Sequence, residues 1–410
     1  MSLSAARTVC GGLAELLTIE QAQRLVLERT RRLPSERVPL ERAAGRVLAE
    51  AAKAVVDLPP FPSSAMDGFA VRAADTPGTL PVTFRVAAGR PSPRALEPGE
   101  AMGIATGGVV PEGADAVIPL EHVVARDNDV EIGQEVTPGA NVRPRAGDLR
   151  AGDEVVAAGI VLGPAQLGAL AAAGVAEVVC GVVPRAAVLA TGTELRRPGE
   201  RLEPGEVYEA NGLILDAQLT SAGASVERLP AVADDEDAHR EAIARGLEHD
   251  LLVTSGGVSV GPHDLVRAIE AELGVEEVFW RVAVKPGKPV SFGVRERTLV
   301  FGLPGNPVSS LVAFELFVRP AVLALQGHAD PLPRFEPGRL AAAARLNPGR
   351  DQLVRARRRD GGDGATELDP LQGQESHMIA RAAGADALVL LPRGEGELAA
   401  GSPVRYLKLA

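Results

Sequence analysis

The sequence predicts a multidomain α/β plus β protein, with a three-layer α/β domain at its centre and β-rich segments on either side. Two observations carry this. From about residue 182 to 330, short apolar runs alternate with helical periods, as βαβ units require. Outside that stretch the runs turn short and alternating and are split by Gly and Pro turns, as in small β domains. A length of 410 residues, 46% apolar and 3% aromatic, suffices for about three domains, each with a core of its own.

From Thr18 to Thr30 the apolar positions Ile19, Ala22, Leu25 and Val26 share one helical face. Thr18 is placed as N-cap, with Glu20 and Gln21 in the first turn. A second short helix is predicted near Leu40 to Val47. The segment Asp57 to Pro62, DLPPFP, is too rich in proline for regular structure, and the texture changes as it enters SSAMDGFAV. Up to about Asn141, runs such as VTFRVA and AVIPL lie between Gly and Pro turns and predict a small β-rich domain. Gly-Asp turns in RPRAGDLRAGDEVVAAG then precede a helix from Pro164 to Ala173. In the α/β stretch the predicted strands are Ala187 to Ala190, Val226 to Leu229 and Leu251 to Thr254. The predicted helices are Asn211 to Ala222, Asp235 to Leu247 and Asp264 to Leu273. They imply a parallel or mostly parallel sheet. Beyond Pro331 the runs QLVRARRR, ALVLLP and VRYLKL predict a small barrel or sandwich, with Asp360 to Gly364 as a hairpin loop.

Charge and cysteine usage narrow the function classes. A formal charge of -11 argues against a binder of phosphate backbones, so no nucleic-acid partner is expected, while a small anion in a local pocket stays compatible. Cys10 and Cys180 form neither a disulfide framework nor a metal-ligand spacing, which fits a reducing cytoplasm. The N-terminal MSLSAARTVCGGLAELL has no sustained apolar run, and no stretch is read as approaching the roughly 20 apolar residues of a membrane span. Neither secretion nor membrane embedding is expected.

In a parallel α/β sheet, ligands gather beyond the carboxyl ends of the strands. Three signals fall there: TGTE at Thr191 to Glu194, SGGVSVGPHD at Ser255 to Asp264, and GLPGNP at Gly302 to Pro307. In VKPGKPVSFG, Lys285 and Lys288 flank a Pro-Gly turn, so two ammonium groups can converge on one anion. Lysines are ordinarily solvated, but Pro286, Gly287 and Pro289 stiffen this carrier between apolar flanks. GLPGNP leads into a helix start, where Pro304, Gly305, Asn306 and Pro307 can present N–H groups and a helix dipole to an oxyanion. Read without function, the same turn needs only Pro at the first helical position. Glu194 and Asp264, carboxylates from separate strand ends, would make a simple Mg²⁺ site, although an Asp beginning a helix also caps it.

The segment GGVSVG contains G-x-S-x-G at Gly257, Ser259 and Gly261, the pattern of a hydrolase nucleophile elbow. That elbow needs Ser on the turn between strand and helix. Here the strand ends near Thr254, Ser259 falls deep in a loop, and no HGGG-like segment occurs. Gly256, Gly257 and Ser259 are read instead as a loop passing close to a ligand. No Walker motif surrounds Gly287 and Lys288. The six histidines show no ligand spacing and are read as surface or packing residues, with His377, beside Ser376, the one to watch. Asp67 and Thr106 read locally as turn residues.

Taken together, SSAMDGFAV, IATGG with PEGADAVI, RPRAGDLRAGD, LATGTEL, TSGGVSVGPHD, VKPGKPVSFG and GLPGNPVSS resemble the molybdopterin molybdenumtransferase family, MoeA, and the related gephyrin E domain. The likeness spans nearly the whole chain in the family's order. It implies an elongated four-domain homodimer with its active site at the subunit interface. The implied domains are a discontinuous N-terminal one over 15–60 and 142–181, a β-rich one over 61–141, a MogA-like molybdopterin-binding α/β domain over 182–330, and a β-barrel over 331–410. The implied reaction inserts molybdate into adenylylated molybdopterin and releases AMP, with Mg²⁺ offsetting the nucleotide's charge.

The resemblance also assigns residues. Asp67, Thr106 and Asp148 become functional positions. Lys285 and Lys288 hold molybdate or the phosphate beside it, and Pro304 and Pro307 are the prolines of the anion turn. Glu194 and Asp264 hold the metal, joined by Asp234 or Asp235. The C-terminal domain contributes Ser376 and either Arg350 or Arg355. Thr193 stands where some relatives carry Asp, which leaves Glu194 in place. The substrates are small molecules, and the reading leaves room for transient contact with other molybdenum-cofactor enzymes. Two alternatives remain: a non-catalytic gephyrin-like scaffold, which would need neither the lysines nor the carboxylates, and a molybdopterin adenylyltransferase, which has the α/β domain alone.

Overall fold

The computed structural model of the chain describes residues 16–231, 235–257, 265–362 and 364–409. The chain forms two compact units, one of residues 37–180 and the other of the preceding segment together with 181 onward.

The second of these carries the α/β sheet. Its six strands run in the order 225–228, 185–190, 251–255, 298–303, 291–295, 276–280. The first four are mutually parallel, 291–295 runs antiparallel to its neighbour 298–303, and 276–280 runs antiparallel to 291–295. Both faces are covered, so the central strands read as unbroken apolar runs: Leu251, Leu252 and Val253 are all fully buried. Phe279, Phe292 and Phe301 stack down one face with centroids 5.6 and 4.8 Å apart. Truncating a buried ring such as Phe301 to Ala would cost about 3–5 kcal/mol. Helices Asn211–Ser221, Glu236–Gly246 and Leu265–Glu272 follow the predicted periods to within a residue or two. The N-terminal helix Ile19–Arg29 begins with a capping box in which Thr18 Oγ1 accepts from Gln21 N–H and Gln21 Oε1 from Thr18 N–H.

Helical residues 307–326 are long and apolar enough to cross a membrane, contrary to the sequence expectation that no stretch approached that length. Of the helix's most apolar 18-residue window, 78% is buried inside the protein. Its apolar surface is therefore spent on the sheet, through Phe314, Leu316 and Phe317 among others. At Phe314–Val318 it widens to a π-turn, where Gln218 Nε2 takes the Leu311 carbonyl at 3.3 Å.

Downstream lies a closed five-stranded barrel. Strand Asp351–Asp360 pairs with both Thr366–Pro370 and Ala387–Leu391, and Glu336–Leu340 and Pro403–Lys408 close the ring. Asp360 faces Thr366 across the predicted hairpin.

The unit of residues 37–180 holds a six-stranded sheet ordered 116–119, 68–71, 101–104, 78–86, 129–132, 123–125. Gly68 is obligatory there, because a Cβ would stand 1.9 Å from the Ile118 carbonyl oxygen. A second cluster joins Leu48, Leu162 and Leu170, the last on helix Pro164–Ala172. The helix predicted near Leu40 to Val47 is not formed; only a 3₁₀ turn, Leu40–Arg42, appears. Gly45 and Leu48 donate instead to the Leu162 and Ile160 carbonyls, at 2.9 Å each, so pairing across the chain takes the donors a helix would have used.

Candidate active site

Four segments converge on a cleft of about 740 Å³ at the carboxyl ends of the parallel strands. Strand 185–190 delivers Thr191, Gly192 and Glu194, and strand 251–255 delivers Gly256 and Gly257. Strand 298–303 delivers Pro304 to Pro307, and the barrel sends across His377 and Ile379. Gly256 sits at φ +100°, and a Cβ there would meet the Thr191 carbonyl oxygen at 2.6 Å. Only glycine lets the backbone turn this closely.

The GLPGNP turn is held from behind. Asn211 Nδ2 donates to Ser255 Oγ at 2.8 Å and to the Gly305 carbonyl at 2.7 Å, and Ser255 Oγ donates to the Pro304 carbonyl at 3.4 Å. Pro307 takes the first helical position as the sequence suggests, yet the Asn306 side chain makes no capping bond. The Gly305 and Asn306 N–H groups have no partner among the described residues. The Val308 N–H goes to the Ser376 carbonyl at 3.1 Å, which seats the barrel's QGQESHM loop on this helix start.

Lys285 and Lys288 are exposed and stand on the turn that ends at Pro289 on the cleft rim; neither lysine is part of the cleft lining. The turn rests on the same helix: a Cβ on Gly287 would lie 3.6 Å from the Ser309 carbonyl. Lys285 pairs with Gln352 and Val284 with Asp351, so Arg350 is carried to the lysine strand. Arg355, five residues on, is 1% exposed. Its guanidinium donates to the carbonyls of Met378 (2.7 Å), Gly373 (2.7 Å) and Glu375 (3.2 Å). Burial pushes its pKa down from the usual guanidinium range. Its donors are spent on shaping the loop that presents Ser376 and His377, which distinguishes it from Arg350 at the half-exposed strand start.

Glu194 is exposed on the cleft wall, its carboxylate folded back within 2.5 Å of where a Gly192 Cβ would stand. Asp234, Ser259 and Asp264 lie outside the described residues. Asp235, the alternative to Asp234, caps helix 236–246 by accepting from Ala238 N–H at 2.8 Å. Among the described residues no group of three His, Cys, Asp or Glu could hold a metal.

In the other unit, Asp67 Oδ1 accepts from Thr106 N–H at 2.7 Å and from Thr106 Oγ1 at 3.0 Å. The Thr106 backbone bond, then its hydroxyl, hold the Asp67 carboxyl below the usual carboxylate range. Asp148 is exposed, its N–H donating to the Leu58 carbonyl at 3.0 Å.

Two cleft residues escaped the sequence reading. Asn211 read only as a helix start. His239, taken as surface or packing, is 1% exposed yet lines the cleft. Its Nδ1 lies 2.8 Å from the Asp235 carbonyl, which can only accept, so Nδ1 is the donor of that bond. No spacing in the sequence marks it, because its partner is a backbone carbonyl.

The comparisons with known proteins cover this whole arrangement. Residues 17–174 match the MoeA N-terminal region (domain I and II), 187–324 a probable molybdopterin binding domain, and 337–409 the MoeA C-terminal region (domain IV). Molybdopterin molybdenumtransferase 2 of Mycobacterium tuberculosis is 36% identical over 407 residues, covering 96% of this chain and 99% of the relative. The chain belongs to the molybdopterin molybdenumtransferase family. A Haemophilus influenzae molybdopterin molybdenumtransferase is 35% identical over 401 residues, 95% of this chain and 98% of the relative. A solved molybdopterin biosynthesis MoeA protein from Pyrococcus horikoshii OT3 superposes with a TM-score of 0.82 at 26% identity, covering 96% of this chain and all of that one. As a molybdopterin molybdenumtransferase family member the chain is an enzyme of molybdenum-cofactor biosynthesis, a transferase.

Proposed function

We propose that the enzyme inserts molybdate into adenylylated molybdopterin and releases AMP, in a Mg²⁺-dependent reaction carried out by a cytoplasmic homodimer. The observation that carries this reading is the convergence at one strand-end cleft of a turn whose Gly305 and Asn306 N–H groups have no partner among the described residues, of Glu194, and of the lysine turn at its rim. Molybdate is a tetrahedral dianion. Lys285 and Lys288 supply mobile positive charge for it, and Gly305 and Asn306 supply fixed donors, between the prolines Pro304 and Pro307. Arg350, carried in on the neighbouring strand, adds a third cation. Ser376 would orient the reacting group from the barrel side, Gly256 and Gly257 let the backbone approach the substrate, and Ser259 is assigned to the same loop by the sequence pattern. In the unit of residues 37–180, Asp67, Thr106 and Asp148 are assigned functional roles by the family likeness.

Glu194, Asp234 and Asp264 would hold Mg²⁺, since hard carboxylate oxygens are the donors that ion prefers. When bound it offsets the negative charge of the phosphoanhydride. The test is to supply adenylyl-molybdopterin and molybdate with Mg²⁺ and follow AMP. Folded protein that releases AMP only when molybdate is present supports the reading; release indifferent to molybdate overturns it.

A further inference from the structure

We infer that Asn211 is the positioning residue of the oxyanion subsite, the group that sets the Pro304–Gly305–Asn306 turn in its anion-binding shape. This rests on the reading of that turn proposed above. The Gly305 carbonyl can only accept, so the Asn211 atom 2.7 Å from it must be Nδ2. The second Nδ2 proton goes to Ser255 Oγ at 2.8 Å, leaving the Ser255 hydroxyl proton for the Pro304 carbonyl at 3.4 Å. One carboxamide therefore holds two successive carbonyls of the turn, one directly and one through a hydroxyl on a residue that is 2% exposed.

The consequence follows from peptide planarity. In a trans peptide the N–H points opposite to the C=O. Fixing the Pro304 carbonyl fixes the Gly305 N–H, and fixing the Gly305 carbonyl fixes the Asn306 N–H. These are the two N–H groups without partners among the described residues. Gly305 is the most freely rotating residue of the turn, so those planes need an external hold. Asn211 supplies it from a rigid base, because its helix is anchored by fully buried Leu215 and Leu219.

The experiment uses the full chain and Asn211→Ala, Asn211→Asp and Ser255→Ala. Molybdate and AMP binding are measured separately by equilibrium dialysis, and hydrogen exchange is followed at Gly305 and Asn306. Loss of both donor bonds is expected to weaken molybdate binding at least about tenfold in Asn211→Ala. Asn211→Asp should lose more, since a carboxylate oxygen would face the Gly305 carbonyl, and Ser255→Ala less, since it loses only the relay. AMP binding should stay within about twofold, and exchange should speed up at Gly305 and Asn306 but not along strand 298–303. Molybdate binding unchanged in Asn211→Ala, or a parallel loss of molybdate, AMP and thermal stability, overturns the inference. If the wild-type chain binds no molybdate, the functional reading fails on its own account. Exchange at Gly305 and Asn306 then decides alone: acceleration in Asn211→Ala supports Asn211 as the hold on the turn, and no change overturns it.

Discussion

The strand-end cleft and the Asp67–Thr106 pair are built on opposite plans. In the cleft no single segment makes the site: the strand ends, the lysine turn and the barrel loop meet there, and residues such as Asn211 and Arg355 hold them in register. Asp67 instead receives both its donors from one residue. A convergent site can be damaged from positions that face no ligand. A two-residue pair is damaged only at itself.

Arg355→Met is the strongest way to break that contrast. It removes the Arg355 donors from the Gly373 and Met378 carbonyls of the QGQESHM loop, while the Glu375 carbonyl keeps the Met378 N–H, and loss of two such charge-assisted bonds from a buried guanidinium should cost about 2 kcal/mol or more in total. Denaturant unfolding would show that loss. Because the Ser376 carbonyl of this loop also accepts from the Val308 N–H at the helix start, AMP release should fall about tenfold or more even where the variant is fully folded. A variant with normal activity at low temperature would show that the loop needs no such hold.

Much of the fold was legible in the sequence because βαβ periodicity is local: the helices at 211, 236 and 265 begin within a residue or so of where their caps and apolar spacing put them. The failed helix near Leu40 shows the limit. Its donors are taken by carbonyls more than a hundred residues away in sequence, and no local pattern carries that information. The site divides the same way. The lysine turn and GLPGNP announce themselves through residue type. Arg355 and Arg350 look alike in sequence, yet one is buried on backbone carbonyls while the other is half-exposed beside the lysine strand. His239 and Asn211 matter through contacts with backbone or with a distant turn, which only the fold creates.

Lys288→Ala tests the lysine turn at the rim of the cleft. Removing one ammonium from a dianion site forfeits a charge-assisted contact of roughly 1.5–3 kcal/mol, about 10–100-fold in kcat/KM for molybdate. Lys285→Ala should behave alike, and thermal stability should hold because both side chains are exposed. Full activity in either variant removes that lysine from the assignment. The comparison sharpens if Arg355→Met loses stability and activity together while the lysine variants lose activity alone.

The smallest effect belongs to the pair. The Asp67 carboxyl sits below its usual range in the folded protein, first through the Thr106 backbone N–H and then through its hydroxyl. A depressed folded pKa means that this contribution to stability is present above the ordinary carboxylate range, near pH 4, and is lost as the pH falls through the folded value. Thr106→Val deletes the hydroxyl but keeps the backbone donor, which is the larger cause. The Asp67 pKa should therefore climb only part of the way back, as a carboxyl-carbon NMR titration would read. The acid limb of the stability curve should still begin near the ordinary carboxylate range but be shallower and end at a slightly higher pH, the difference appearing as a small loss of stability at neutral pH. Lys288→Ala should leave that limb where it was, since its contacts lie elsewhere in the chain. An acid limb that moved in Lys288→Ala and stayed fixed in Thr106→Val would show that the cleft, and not this pair, governs acid sensitivity.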